Sequence, residues 1–373
     1  MNAALTQQSL DEEWSVLRQF LPPGWEEEAQ RSGALRRARG VDGAEALLRV
    51  LLIHLATGCS LAETAARAQA AGLARLSAVA LFKRLQASEG WLRWLAAEER
   101  RLLGGNSPAP TRRFRAVDAT VVSEPGSTGT DWRLHYSINL TDLQCDFFAL
   151  TDMHGGETLR RVPIQAGDVV LGDRLYANPG GVRHVVDCGG DVLVRLNWYT
   201  LPLFRESAER IDVLKSLRRL PAGTICDLPA WVRPSQGEPI AGRLIALRRS
   251  AEATRLVRRK QAQRASKQQK PVSAKSYAAA KYFMVWTSLP ATTPANEILE
   301  AYRCRWQIEL SFKRMKSILG LGHLPKKDPA SARAWLHGKL LTSLLVERII
   351  QAASSFSPWG YRVDSVAVPL ARS

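Results

Sequence analysis

The sequence is poor in the features that mark secreted and membrane proteins. Its five cysteines stand singly along 373 residues with no Cys-x-x-Cys pair, so they form neither a disulfide framework nor a zinc site. The longest apolar run, at residues 46–56, contains Arg49 and His54 and is too short to span a membrane. The opening residues, MNAALTQQSLDEEW, are polar and acidic, and we expect no signal peptide. These absences are typical of a protein of the reducing cytoplasm.

Several motifs of DNA-rearranging and nucleotide-using enzymes are also missing. None of the six histidines is followed by an arginine three residues later, which excludes the H-x-x-R element of tyrosine recombinases. No two histidines have the spacing of an HxH or H-E-x-x-H metal site, and no GxxxxGK phosphate loop occurs. We therefore expect no nucleotide cofactor.

Positive charge, in contrast, is abundant and unevenly placed. The chain carries 52 Lys and Arg against 35 Asp and Glu, a formal net charge of +17, which favours a polyanionic partner such as nucleic acid. The net charge is +1 over residues 1–105, −2 over residues 106–200 and +18 over residues 201–373. The C-terminal half is therefore the part expected to contact phosphates.

Residues 1–105 are predicted to be helical. Ser60 and Glu63 have capping-box spacing and open a helix that runs to about Ala70, and a second helix spans about Ser77–Gln86. Two short helices joined by a Gly-containing turn resemble a helix-turn-helix, so this region is a candidate DNA-binding domain. Any small helical bundle would give a similar pattern.

From Arg112 onward the pattern changes to short β-type runs. Three strands in succession, then alternating helix and strand, predict a mixed sheet flanked by helices over residues 106–200; the predicted elements are strands at 114–122, 133–139, 146–152, 169–172 and 191–196 and helices at 156–165 and 179–187. Residues 201–290 are predicted to be β-rich and antiparallel, with strands at 224–232, 242–249 and 282–289. Residues 351–373 are assigned to a C-terminal tail.

A basic polar stretch separates the last two of these strands. Residues 251–281 contain nine Lys or Arg, among them Arg258, Arg259 and Lys260, against the single acid Glu252. One interpretation is a solvated loop without a partner. The alternative is an arm that contacts phosphates and becomes ordered on nucleic acid.

The clearest helix of the sequence is predicted from a Thr293 cap and Pro294 to about Leu319, within residues 291–350. At 100° per residue, Tyr302, Arg305, Glu309 and Lys316 fall on one face of it. Such a face is common on ordinary surface helices. A carboxylate among cations is also what a metal ligand beside phosphate-binding groups would look like.

Two aspartates stand where carboxylates could join Glu309. Asp118 lies within an apolar strand, where an aspartate is unfavourable unless it is paired or bound to metal. Asp173 follows the buried run at 169–172, at the end of a strand where ligands of open α/β sheets bind. Singly, each could be a turn or capping residue. Together the three side chains supply the oxygen ligands that Mg²⁺ prefers.

The pattern Tyr302-x2-Arg305-x3-Glu309-x6-Lys316 resembles the YREK signature of bacterial insertion-sequence transposases of the DDE type. The contexts of Asp118 (VDAT) and Asp173 (GDRLYA) are similar to those of the first and second aspartates of that family. The resemblance covers roughly residues 20–350. It implies an α/β fold: an RNase H-like mixed sheet with flanking helices, interrupted by a β-rich insertion, plus an N-terminal helical domain. Residues 106–200 and 291–350 would be the two parts of its catalytic core.

The resemblance also implies a chemistry and its residues. Asp118, Asp173 and Glu309 would bind two Mg²⁺ or Mn²⁺ ions for phosphodiester hydrolysis and strand transfer. Lys313 would lie beside Glu309, and an aromatic residue such as Trp306 would stack on a displaced base, although a core tryptophan is an equal alternative. The phosphate-binding groups would be Tyr302, Arg305 and Lys316.

The expected partners are double-stranded DNA, both transposon ends and target, and a second copy of the chain in a homodimer that holds two DNA ends. The expected location is the bacterial cytoplasm, at the nucleoid. Two other functions remain open: a metal-dependent nuclease of the same fold without strand transfer, and a DNA-binding repressor whose carboxylates are inert.

Overall fold

The N-terminal region consists of helices, as the sequence predicts. The computed structural model of the chain describes residues 13–103, 112–322 and 324–354. A helical stretch at 13–18 precedes helices with these bounds: α1 (Trp25–Arg31), α2 (Gly43–Thr57), α3 (Leu61–Ala70), α4 (Ala78–Ala87) and α5 (Glu89–Leu103). The hydroxyls of Ser60 and Ser77 accept hydrogen bonds from the amides of Glu63 and Ala80, and so cap α3 and α4. Both helices of the predicted helix-turn-helix are confirmed.

The first strands form a mixed sheet in the order β3-β2-β1-β4-β5. The pairs β1–β2 and β2–β3 are antiparallel, whereas β4 and β5 run parallel to β1. Helix α6 (Pro179–Asp187) makes the crossover between β4 and β5. The predicted RNase H-like fold is confirmed, with strands β1 (Arg113–Val122), β2 (Trp132–Asn139), β3 (Cys145–Asp152), β4 (Asp168–Gly172) and β5 (Asp191–Arg195).

The β-rich insertion continues this sheet. Strands β10, β9 and β7 follow β5 in antiparallel order, so the sheet within the described residues has eight strands. A separate two-stranded sheet pairs β6 with β8. The elements of the insertion up to β10 have these bounds: β6 (Leu203–Phe204), α7 (Val213–Leu217), β7 (Ile225–Pro229), β8 (Trp231–Val232), β9 (Arg243–Arg248), α8 (Ala251–Gln268), α9 (Ala274–Ala279) and β10 (Tyr282–Thr287).

The basic stretch at 251–281 is mostly helical, so the expectation of a loop or a disordered arm is wrong. The Ser250 hydroxyl accepts a hydrogen bond from the amide of Ala253 and caps α8, which ends at Gln269 in a left-handed conformation (φ 51°). The stretch is rich in Ala, Arg, Lys and Gln, which are all strong helix formers. A high density of charge is therefore compatible with a regular helix here.

The prediction of a helix at 156–165 is also wrong. The segment contains a single 3₁₀ turn, Leu159–Arg161, where the Thr158 hydroxyl accepts from the amide of Arg160. Pro163 has no amide hydrogen and holds Val162 in an extended conformation, so the turn cannot propagate.

The long C-terminal helix is interrupted near its middle. Helix α10 (Ala295–Arg303) leads into a 3₁₀ turn at Cys304–Trp306, and α11 (Gln307–Ser317) follows. The prediction of one continuous helix is therefore wrong, and so is the Thr293 cap. Pro294 takes the N-cap position, and the Thr293 hydroxyl accepts a hydrogen bond from Arg112 instead.

The last helix, α12 (Pro329–Ser354), packs against the N-terminal helices α5, α2 and α4. Glu99 of α5 pairs with Arg348 of α12 at 2.7 Å, and Gln86 donates to Asp328 at 2.8 Å. These helices share one apolar core with β1, β2 and α11. The two ends of the described chain thus meet on one face of the sheet.

A second core lies beneath α6 and α7 on the opposite face, and a third lies between α10 and strands β4, β5 and β10.

All five cysteines are free, as expected. No helix among the described residues is long and apolar enough to cross a membrane. Residues 355–373, most of the predicted C-terminal tail, lie outside the described residues.

Candidate active site

Strand register places the two aspartates side by side. Ala116 of β1 is opposite Leu171 of the parallel strand β4. Asp118 and Asp173 each lie two residues further along, so both project on the same face of neighbouring strands, which are spaced about 4.8 Å apart. Asp173 follows the last residue of β4, at the carboxyl edge of the sheet. The sequence-based pairing of these residues is consistent with this geometry.

Arg305 connects Glu309 to this pair. Its guanidinium lies 3.5 Å from a carboxylate oxygen of Asp118 and 2.5 Å from one of Glu309. Arg305 belongs to the 3₁₀ turn and Glu309 to the first turn of α11. The arginine therefore lies between two of the predicted metal ligands.

The carboxylates repel one another at this edge. Burial, followed by the nearby charges of Asp173 and Glu309, raises the pKa of Asp118 to about 6, against the opposing effects of the Ala119 amide and Arg305. An aspartate so placed is stabilised in its ionised form by a cation.

A divalent metal ion fits this donor set in its chemistry. No three His, Cys, Asp or Glu side chains stand close enough to hold a metal ion in the described parts of the chain, and Arg305 bridges Asp118 and Glu309. The oxygen donors are of the type that Mg²⁺ and Mn²⁺ prefer. Metal binding by Asp118, Asp173 and Glu309 therefore requires the Arg305 guanidinium to move.

A fourth carboxylate, Glu157, was missed from the sequence. Its side chain is 15% exposed, and one of its oxygens is buried without a hydrogen-bond partner. Burial, followed by the charges of Asp118 and Asp173, raises its pKa to about 7. Arg133 lies 3.7 Å from its other oxygen. Glu157 lies in the connection between β3 and β4, where the sequence carries no strand or helix pattern that would have singled it out.

Tyr302 is buried. Its hydroxyl donates to the carbonyl of Gly172 at 3.2 Å, next to Asp173, and its ring meets Phe283 edge-on at 5.6 Å between centroids. The structure thus offers no free hydroxyl for the phosphate contact expected of Tyr302. The side chain instead fastens α10 to the end of β4 and so fixes the position of the 3₁₀ turn.

Other predicted DNA-binding residues of this segment are exposed to solvent. Trp306 is 50% exposed on the 3₁₀ turn. Lys313 and Lys316, both exposed, line an open groove of about 530 Å³ with Thr120, and Glu309 contributes to the same groove. A basic groove that contains a candidate metal ligand is a suitable place for a nucleic-acid backbone.

An arginine cluster that the sequence did not reveal borders this site. Arg174, Arg195 and Arg249 line a cavity of about 120 Å³. Gly172 of β4 is opposite Val194 of β5, so Arg195 follows next to Asp173. Burial and then the neighbouring arginines lower the pKa of Arg249 to about 10. The three residues come from separate strand ends, which explains why sequence spacing gave no signal.

The basic residues predicted for the arm lie on α8. Arg258 packs over the ring of Tyr277 with its guanidinium carbon 3.6 Å from the centroid, whereas Arg259 and Lys260 are exposed. Gln261 of the same helix lines the arginine cavity. Helix α8 thus extends the basic surface outward from the arginine cluster.

Comparison with known proteins decides the family. The model of the transposase DDE domain matches residues 150–345. The transposase of the Escherichia coli K12 element IS186A is 33% identical over 354 residues, covering 92% of this chain and 96% of its own, and the IS421 transposase of E. coli is 33% identical over 355 residues with the same shares. This chain belongs to the DDE transposases of bacterial insertion sequences. The transposase is thus an enzyme of DNA transposition, and its family implies the use of a divalent metal ion.

Among solved structures, the transposase resembles the piggyBac transposase in a synaptic complex with hairpin DNA. The TM-score is 0.49 and the identity 9%, over 91% of this chain and 73% of that one. A likeness of this degree does not bear on how the present protein works.

Proposed function

We propose that this transposase binds the terminal inverted repeats of its insertion sequence and moves the element by cut-and-paste, with Asp118, Asp173 and Glu309 as its catalytic carboxylates. The observation that supports this assignment is the link through Arg305: one side chain contacts both Asp118 and Glu309, while strand register sets Asp173 beside Asp118.

The three carboxylates would hold two Mg²⁺ or Mn²⁺ ions. When bound, such ions activate the attacking water or 3′-hydroxyl and stabilise the leaving oxygen. Arg305 neutralises Asp118 and Glu309 in this structure, and with ions bound there its guanidinium would be available to contact a DNA phosphate. Tyr302 keeps the arginine within reach of both positions through its bond to Gly172.

DNA phosphates would lie along the groove beside Glu309. Lys313 and Lys316 line it, and each phosphate contact by a lysine or arginine adds salt-dependent affinity. Trp306 is exposed beside Arg305 and can stack on an unpaired base, a contact that contributes about 1–3 kcal/mol. Arg258, Arg259 and Lys260 on α8 would hold DNA further from the cut.

Both ends of an element must be cut for excision, so we propose a homodimer that holds two DNA ends at the bacterial nucleoid. Target DNA would enter the same carboxylate site after excision.

The test uses purified protein, a duplex that carries the element end, and Mg²⁺ or Mn²⁺. Cleavage and joined products are expected, and each should be lost in Asp118→Asn, Asp173→Asn and Glu309→Gln, while the affinity for the end is retained. Glu300→Gln, in an exposed surface pair with Arg303, is the matched control. Full activity in one of the three carboxylate variants would remove that residue from the site.

The same experiment separates the alternatives. A nuclease without strand transfer would give cut DNA and no joined product. A repressor would bind the end in every variant and cut it in none, the wild type included.

A further inference from the structure

A second basic cavity lies between the N-terminal helices and the end of α11. Its volume is about 570 Å³, and it is lined by the turn between α2 and α3, by residues 317–320 after Glu309's helix, and by Lys326 and Lys339. No acidic side chain is among its lining residues. This cavity plays no part in the chemistry assigned to the carboxylates.

The two lysines are buried without partners. Lys326 is 8% exposed and Lys339 3% exposed. Within residues 13–103, 112–322 and 324–354 their ammonium groups have no hydrogen bond or ion pair, and they lie 5.9 Å and 4.9 Å from the ring centroids of Phe82 and Trp335. Burial lowers the pKa of both, that of Lys339 to about 8. A charged group at the end of a largely buried side chain is costly unless something compensates its charge.

His54 lines the same cavity and experiences the charge of the two lysines. Its Nδ1 lies 2.7 Å from the Cys59 carbonyl, and its Nε2 is buried without a partner. Burial, together with the charges of Lys326 and Lys339, lowers the pKa of His54 to about 4, against the opposing effect of the Cys59 carbonyl. The interior of the cavity is therefore electropositive, and no described residue supplies a counter-ion to it.

Two features make this cavity a candidate site for a DNA phosphate. Ser317, in the last turn of α11, lines both the cavity and the groove of Glu309, Lys313 and Lys316. Ser60, the N-cap of the ten-residue helix α3, also lines it, and the amino end of a helix attracts anions. The cavity thus continues the basic groove and ends at a helix amino terminus.

We propose that this cavity binds a phosphate group of the DNA strand that runs from the carboxylates along α11, with Lys326 and Lys339 as its ligands. The proposal rests on the DNA-binding function inferred above. Because α3 and α12 also line the cavity, a phosphate held there would tie the N-terminal helices to the strand being cut.

The experiment uses Lys326→Gln and Lys339→Gln, with exposed Lys327→Gln as the matched control, all in an Asp118→Asn background so that binding is measured without chemistry. Affinity for an element-end duplex is measured from 50 to 300 mM salt. Losing one phosphate contact should flatten the slope of log K against log salt by about 0.9. The slope should flatten in each cavity variant more than in the control.

A second readout is lysine acetylation followed by mass spectrometry. DNA should protect Lys326 and Lys339 more strongly than Lys327, and Lys339→Met, which keeps the apolar stem, should bind DNA like Lys339→Gln. Unchanged slopes in folded cavity variants, or protection by millimolar inorganic phosphate but not by DNA, would overturn the proposal. If the wild-type protein did not cleave the duplex, the proposed reaction would be contradicted. The binding measurements on the cavity variants would remain valid.

Discussion

A metal ion held by Asp118 and Glu309, as proposed, would have to compete with Arg305. Its guanidinium neutralises Asp118 and Glu309, and a positive charge so close repels a divalent cation. We expect Arg305→Gln to bind Mn²⁺ several-fold more tightly than the wild type, yet to cleave DNA at least 10²-fold more slowly because a phosphate contact is lost.

Electron paramagnetic resonance of free Mn²⁺ measures the first effect and a single-turnover cleavage assay the second. Arg303→Gln, which removes an exposed cation paired with Glu300, should alter neither. Weaker Mn²⁺ binding in the Arg305 variant would show that the arginine organises the ligands and does not compete for them.

Glu99 gives a residue-level prediction about stability. It is fully buried beside Arg348, and burial raises its pKa from 4.5 to about 7 despite that partner. Between these pH values the folded state keeps the proton that the unfolded state has lost, so the free energy of unfolding falls as the pH rises. Because glutamine does not titrate, Glu99→Gln should gain about 1–3 kcal/mol relative to the wild type between pH 5 and 8. Urea unfolding of both proteins at four pH values measures this gain. A difference in unfolding free energy that did not change with pH would contradict the prediction.

A buried ion-pair network joins strand β1 to β3 and β4. Arg115, 2% exposed, lies 2.6 Å from Asp146 and 2.9 Å from Asp168, so it connects β1 with β3 and β4 just before Asp118. Removing one partner leaves uncompensated buried charges, and we expect Arg115→Met to lose about 3–5 kcal/mol of unfolding free energy.

Chemical denaturation measures this loss. Arg205→Met, which breaks the exposed pair with Glu209, should change stability by less than about 1 kcal/mol. A loss of similar size in both variants would mean that the buried network contributes little to the free energy of unfolding.

The elements also show what the sequence can and cannot predict. Most strands of the large sheet were predictable because alternation is a local pattern. The strand predicted at 224–232 is wrong in one respect, since it divides into β7 and β8, which belong to different sheets. The 3₁₀ turn at 304–306 was not predictable, since its residues have ordinary helix propensity and its neighbours are fixed by the tertiary contacts of Tyr302 and Arg305. Glu157 and the cavity lysines are functional candidates only through burial, which no local pattern encodes.

For the whole molecule, the carboxylate site predicts coupling between metal binding and stability. Repulsion among Asp118, Asp173 and Glu309 is relieved by cations, so Mg²⁺ or Mn²⁺ should raise the Tm, and a ligand at 100 times its Kd adds about 2.7 kcal/mol.

Scanning calorimetry with and without the metal measures this shift. Asp118→Asn should abolish most of it, whereas exposed Glu209→Gln should keep it. An equal rise of Tm in both variants would place the stabilising ion elsewhere.

Helix α12 bears on the genetic fate of the element. Because α12 closes the core shared by α2, α4 and α5, a gene copy that has lost its 3′ end encodes a product whose N-terminal helices expose that apolar surface. We expect proteases to degrade such a fragment, so that it does not accumulate. Decayed copies in a genome should therefore fall silent without repressing the intact ones.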